Sequence, residues 1–197
     1  MMPRTKLLVY LHGFRSSPRS SKAVMTEHAI KAFPESEGHI EWFCPQLPAS
    51  PKQSMEMVTN HINTSNMDEI IIIGSSLGGF YANYLAEKYS CKAVVLNPAV
   101  MAARELEPHV GLMTAYDSDE PFDFRSEYVD ELRVLQVDRI SQPERYFLIA
   151  SKGDELLNGK EMVDFYSGSQ QLVLEGSDHG ISEYADYLPL VTEFIKK

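Results

Sequence analysis

Three residues of this chain have the types and order to form a nucleophile relay: Ser76, Asp154 and His179. A serine hydroxyl is a weak nucleophile until an imidazole takes its proton. The imidazole keeps the right tautomer only when a carboxylate faces its other nitrogen. Ser76 lies in Gly74-Ser75-Ser76-Leu77-Gly78, a G-x-S-x-G box directly after Ile70-Ile71-Ile72-Ile73. Glycines two residues to either side let a strand turn sharply into a helix without a Cβ clash, and the serine Oγ then stands clear of the sheet. Ser75 is flanked at those offsets by Ile73 and Leu77, so Ser76 is the expected nucleophile and Ser75 its neighbour. His179 stands in Glu175-Gly176-Ser177-Asp178-His179-Gly180, after the apolar run Gln171–Glu175. Asp154 closes the run from Arg145 through Gly153. Asp178 adjoins His179, but neighbours on an extended loop point in opposite directions, which leaves Asp154 as the expected partner of the imidazole.

These residues need elements to position them. Four consecutive isoleucines read as a strand buried on both faces, and Gly79–Lys88 reads as a helix with Tyr81, Tyr84 and Leu85 on one face. Leu7–Leu11 is another short apolar strand, followed at once by His12-Gly13-Phe14. In α/β-hydrolases the loop after such a strand supplies one oxyanion-hole N–H and the residue after the nucleophile supplies the other. The corresponding donors are the backbone amides of Phe14 and Leu77. A triad has room for one base, so His12 is expected to hydrogen-bond the loop backbone; with Ser75 it is also a candidate substrate contact.

Further strands are expected at Ile40–Cys44, Ala93–Leu96, Arg145–Ala150 and Gln171–Glu175, with helices near 22–33, from Pro51, near 159–166 and at the C-terminus. Such alternation predicts a single α/β domain over 1–197, with three layers around a mostly parallel sheet of about six strands. Ser76, Asp154 and His179 then each follow a strand, where open parallel sheets bind ligands. Ser50, Pro51 and Gln53 fit the cap, first and third positions of a helix with a capping box. Residues 101–140 show no clear period and read as an irregular, cap-like insertion. They hold ten carboxylates against four arginines, with Tyr116, Phe122, Phe124 and Tyr128 interleaved. Phe122 and Phe124 are candidate pocket residues; the equal alternative is a solvated excursion whose aromatics dock on the core. Arg15, Arg19 and Lys22 read as solvated cations in preference to a site for a substrate carboxylate or phosphate.

Taken together, Leu11-His12-Gly13-Phe14, Ser16–Ser20 with Lys22-Ala23, Pro45–Pro48, Gly74–Gly79, Asn97–Val100, Gly153-Asp154-Glu155 and Gly176 with His179 resemble the small bacterial YqiA-type esterases. The resemblance spans nearly the whole chain in family order. It implies a compact α/β-hydrolase fold and a carboxylic-ester or thioester hydrolase for short acyl groups, with Ser76, Asp154 and His179 as nucleophile, acid and base. The chain departs from the family pattern at Gly180-Ile181 and at Glu120-Pro121-Phe122. Two other readings stay open: a non-catalytic binding protein on the same fold, and perhydrolysis or C–C hydrolysis by the same triad.

The formal charge of −10 opposes nucleic-acid binding, which depends on neutralising phosphates. Histidines 12, 28, 39, 61 and 109 show no metal-ligand spacing, and no metal or cofactor is expected. Cys44 and Cys91 sit beside apolar strands and read as small core residues of a reducing compartment. No segment is apolar for 18 residues and Leu7–Leu11 is too short for a signal-peptide core, so a cytoplasmic protein without a membrane partner is expected. A small-molecule ester or thioester is the expected partner; the oligomeric state stays open.

Overall fold

In the computed structural model of the chain, which describes residues 5–34, 36, 38–116 and 118–197, the apolar runs become the parallel strands of one sheet. These are β1 (Lys6–Leu11), β2 (Ile40–Phe43), β3 (Glu69–Ser75), β4 (Lys92–Leu96), β7 (Tyr146–Ser151) and β8 (Gln170–Leu174). Their order is β2-β1-β3-β4-β7-β8, with every pair parallel. Side chains alternate across a strand, so each buried strand must be apolar on both faces. Leu7, Val9 and Leu11 of β1 accordingly enter one core cluster, and Leu8 and Tyr10 enter the other. Helices α2 (Pro51–Thr64), α3 (Leu77–Tyr89) and α5 (Ser126–Leu135) cover the first face. The opposite face is covered by α1 (Ser21–Lys31) and α7 (Tyr184–Lys196).

Register decides what meets at the carboxyl edge. Leu11 pairs with Gly74, Ser75 with Leu96, Leu96 with Ile149, and Ser151 with Leu174. The loops that begin at His12, Ser76, Asn97, Lys152 and Glu175 therefore emerge side by side along one edge of the sheet.

The cap of α2 forms with a change of partner. Ser50 Oγ accepts from the Gln53 amide at 3.2 Å, as the box requires. The hydroxyl itself donates to Glu131 of α5 at 2.7 Å, and the Lys52 amide donates to the same carboxylate at 2.9 Å. Helix α3 is buried around most of its girth, from Leu77 through Asn83. It packs between the sheet and the other helices of its layer, so a one-faced reading of Tyr81, Tyr84 and Leu85 understates its burial.

The segment after β4 is not irregular. It contains α4 (Ala102–Leu106), a 3₁₀ turn at Glu107–His109, an antiparallel hairpin of β5 (Gly111–Thr114) and β6 (Pro121–Phe124), and α5. Asp117, one of its ten carboxylates, lies outside the described residues. The remaining helix, α6 (Gly159–Phe165), joins β7 to β8 and is capped by Asn158, whose side chain accepts from the Lys160 and Glu161 amides. Both cysteines are free, and burial pushes each thiol pKa up to about 12. Among the described residues no helix is long and apolar enough to cross a membrane.

Candidate active site

Strand β3 ends and helix α3 begins at Ser76, whose backbone stands at φ +56°, ψ −122°. A non-glycine residue there is strained and persists only where its surroundings hold it. The Ser76 amide donates to Leu96 O at 3.0 Å, while its carbonyl accepts from the Gly79 and Ala99 amides at 2.8 and 3.0 Å. The flanking glycines are required by close approach. A Cβ on Gly74 would lie 2.0 Å from Gly78 O, and one on Gly78 would lie 1.9 Å from Leu11 O. The elbow is thus a three-way backbone contact between β1, β3 and α3.

Ser76 Oγ lies 3.0 Å from His179 Nε2, and His179 Nδ1 lies 2.7 Å from Asp154 Oδ2. An ionised carboxylate only accepts, so Nδ1 carries the proton and Nε2 is left to accept from the serine hydroxyl. Asp154 Oδ1 is filled by the Leu156 and Leu157 amides, both at 2.8 Å. The Asp154 side chain is fully shielded, whereas the imidazole is 17 % exposed. Asp178 is engaged elsewhere. Its carboxylate takes the Ser182 amide at 2.9 Å and the Ser182 hydroxyl at 2.5 Å, and these bonds hold its pKa below the usual range.

Side chains from three other elements hold the loop that bears His179. Asn97, at the end of β4, donates through Nδ2 to the carbonyls of Asp178 and His179, each at 3.0 Å, and its Oδ1 accepts from the Ser151 amide at 2.7 Å. Glu155 accepts from the His179 amide at 3.0 Å. Lys22 Nζ donates to Gly180 O. Among the described residues, the non-glycine positions with positive φ are Arg15, Ser76, Ser90, Asn97 and Ile181. Ser90 is the left-handed end of α3; the other four surround the site, where such strain is typically stored.

Neither the Phe14 amide nor the Leu77 amide donates to another group among the described residues. Both belong to residues lining the cavity that contains Ser76. The loop after β1 lies tight against the serine, since a Cβ on Gly13 would be 3.3 Å from Ser76 Cβ. His12 sets the loop from behind. Its Nδ1 donates to Gly13 O at 3.0 Å and its Nε2 accepts from the Leu47 amide at 3.1 Å, a pairing that assigns the neutral tautomer. His12 is 3 % exposed and is not among the residues lining the cavity at Ser76. Both of its ring nitrogens are used to join two loops, so the structure places it behind that wall and not on it.

The cavity beside Ser76 has a volume of about 470 Å³. Ser75 lines it; Phe122 and Phe124 do not. Two positions apart on β6, those rings share one face of the strand, and both meet Phe14 edge-on at centroid distances of 5.1 and 5.0 Å. They pack against the loop after β1, so neither reaches the wall of the Ser76 cavity where the sequence suggested a pocket role. Leu106, His109 and Tyr116 line the cavity from this segment, with Leu156 and Leu157 from the loop after Asp154. The apolar pair Leu156-Leu157 directly after Asp154-Glu155 was the available sequence signal. The hairpin is tied to the loop after β1: Arg15 Nε donates to Thr114 O at 2.6 Å, its carbonyl accepts from the Tyr116 amide at 2.9 Å, and its guanidinium lies 4.3 Å from the Tyr116 ring centroid.

The fold recurs in solved structures of low sequence identity. Mouse alpha/beta hydrolase domain-containing protein 10 superposes with a TM-score of 0.72 at 17 % identity, over 96 % of this chain and 89 % of that one. Est1E from Butyrivibrio proteoclasticus, solved with ferulic acid bound, gives 0.67 at 18 %, over 100 % and 90 %. A monoacylglycerol lipase from Paleococcus ferrophilus gives 0.66 at 14 %, over 99 % and 96 %. The chain therefore has the α/β-hydrolase fold. A sequence profile described as "Uncharacterised protein family (UPF0227)" matches residues 7–196.

Proposed function

Because the chain belongs to the uncharacterised protein family UPF0227, the YqiA-like family that its motifs resemble, and that description names no reaction, we propose from the site itself that it is a serine hydrolase of carboxylic esters or thioesters with short acyl groups. The observation that carries this reading is the continuous chain of hydrogen bonds Ser76–His179–Asp154 at the wall of a cavity. Ser76 Oγ attacks the scissile carbonyl carbon as His179 Nε2 takes the hydroxyl proton. The carbonyl oxygen becomes an oxyanion, held by the free amides of Phe14 and Leu77. The imidazolium, stabilised by Asp154, returns its proton to the leaving alcohol or thiol as the carbon–oxygen or carbon–sulfur bond breaks. Water, deprotonated by the same nitrogen, then releases the carboxylic acid and restores the serine. The apolar wall of Ala99, Leu106 and Leu157 suits a short acyl chain.

A fluorophosphonate probe tests the reading directly: a single adduct on Ser76, with turnover of graded ester and thioester substrates, supports it. An unlabelled, inactive protein would favour a binding function on the same fold.

A general base must be unprotonated, so kcat/KM for a neutral ester is expected to fall on acidification. A flat profile, recorded where chemistry limits the rate and the protein stays folded, removes His179 from that role.

Asn97 is expected to be a positioning residue for the base. Its φ of +40° suits glycine, so Asn97→Gly removes the side-chain bonds without adding backbone strain. Loss of both donors to the His179 loop is expected to lower kcat by about 10- to 100-fold with little change in KM, because small displacements of a reacting group are costly. A rise in KM alone, at constant kcat, would assign Asn97 to substrate binding instead.

A further inference from the structure

The cavity at Ser76 straddles the end of the sheet and differs in character on the two sides. Leu77 and Ala99 belong to the core cluster beneath α3, Leu106 and Leu157 pack against it, and the four make one side apolar. Tyr10 belongs to the opposite cluster beneath α1 and lines the cavity together with Ser20 and Lys22 at the start of that helix. The hydroxyls of Tyr10 and Ser20 are buried with no hydrogen-bond partner, although buried polar groups are almost always paired. Tyr10 is fully buried.

Lys22 is the cation of this side. Among the described residues its ammonium has no carboxylate at ion-pair distance, and its one hydrogen bond goes to the neutral carbonyl of Gly180. Burial pulls its pKa down, opposed by the charges of Asp178 and Asp154. The first turn of α1 contains no acidic residue, and Ser20 leaves the helix amides uncapped by its side chain. Arg15, the other cation on the wall, is committed to the hairpin through Thr114 and Tyr116. A partly buried ammonium with two unused donors, beside two unpaired hydroxyls and an open helix N-terminus, is a site short of an anion.

The side on which it lies identifies the part of the substrate concerned. His179 must protonate the leaving group, so the alcohol or thiol portion departs along the flank of the imidazole. Lys22 reaches the residue directly after His179 and therefore stands on that flank.

We infer that the α1 end of the cavity, formed by Lys22, Ser20 and Tyr10, binds an anionic group, carboxylate or phosphate, carried by the leaving group of the substrate. This inference rests on the hydrolase reading and narrows it to acidic alcohols or thiols bearing a short apolar acyl group. The chain is strongly acidic overall, so its long-range field disfavours such a substrate and a local cation has to provide the recognition.

Matched butyrate esters test it. The acids are the butyrates of glycolate, 3-hydroxypropionate, 4-hydroxybenzoate and 2-phosphoethanol; each carboxylate is compared with its amide and the phosphate with its neutral dimethyl ester. In the wild-type protein, kcat/KM is expected to favour the acid over its neutral partner by about tenfold or more in at least one pair, as for a charge-assisted hydrogen bond. The pair that responds distinguishes carboxylate from phosphate. The ratio should fall towards one in Lys22→Met and be retained in Lys22→Arg. Lys22→Met is also expected to lower turnover of the neutral esters, because it frees Gly180; the ratio is the readout that this structural loss does not move. No acid preference in any pair, or a preference unchanged in Lys22→Met, overturns the inference. Neutral esters turned over without acid preference refute the anion site alone, whereas no turnover of either member refutes the hydrolase reading.

Discussion

Replacement of Ser76 by alanine is expected to reduce ester hydrolysis by roughly 10³–10⁶-fold and to leave the fold intact. The hydroxyl oxygen has one hydrogen bond, to His179 Nε2, and contributes nothing to the elbow contacts, which are made by backbone and glycine. Alanine keeps the Cβ already accommodated at φ +56°, so the substitution adds no strain. Residual turnover would come from the Phe14 and Leu77 amides and from substrate binding. Ser75→Ala, which alters the cavity wall without touching the relay, should be far milder. A covalent adduct mapped to Ser75 would overturn the assignment of the elbow.

The second large effect separates two aspartates that sequence proximity confuses. Asp154→Asn is expected to lower kcat by about 10⁴-fold, as for loss of the acid in other serine triads. Asparagine can still accept from the Leu156 and Leu157 amides through Oδ1, so the loop should hold. Its NH₂ would then face His179 Nδ1, which must become an acceptor; the proton moves to Nε2, where it blocks acceptance from Ser76. Asp178→Asn should cost less than about tenfold, because that carboxylate serves Ser182 at the surface. Steady-state rates of both variants, with circular dichroism to verify folding, decide the matter. The reverse ranking would transfer the acid to Asp178.

The elements and residues legible in the sequence share one property: their signal is local. Ile70–Ile73 read as a buried strand, glycines mark the elbow, and Asp154 and His179 each follow an apolar run. The structure brings those three together along the edge where strand ends were expected. The hairpin β5–β6 was not legible. Its strands have four residues each, one opening on Gly111 at φ +140° and the other on Pro121, too short for alternation to emerge. The direction of Phe122 and Phe124 depends on which face of that hairpin meets Phe14, a tertiary fact. Asn97 and Lys22 stood within stretches that carry the resemblance, and Lys22 read as a solvated cation, but nothing local revealed the partners they take. Their importance lies in carbonyls some 80 and 158 residues distant, and no periodicity encodes a partner so far away.

Those distances also set the time at which the protein can begin to work. His179 is separated from Ser76 by 103 residues and from Asp154 by 25, and its loop leads from β8, at the edge of the sheet, into the last helix. That helix is joined back to the first strand through Lys6 Nζ and Ile195 O, 189 residues apart. Contacts of such span form only after most of the chain has collapsed, because the entropy of closing the intervening loop precedes any gain. A chain that has formed the elbow but not yet docked β8 and α7 lacks His179 beside Ser76. Recovery of activity during refolding is therefore expected to lag behind the formation of the central strands.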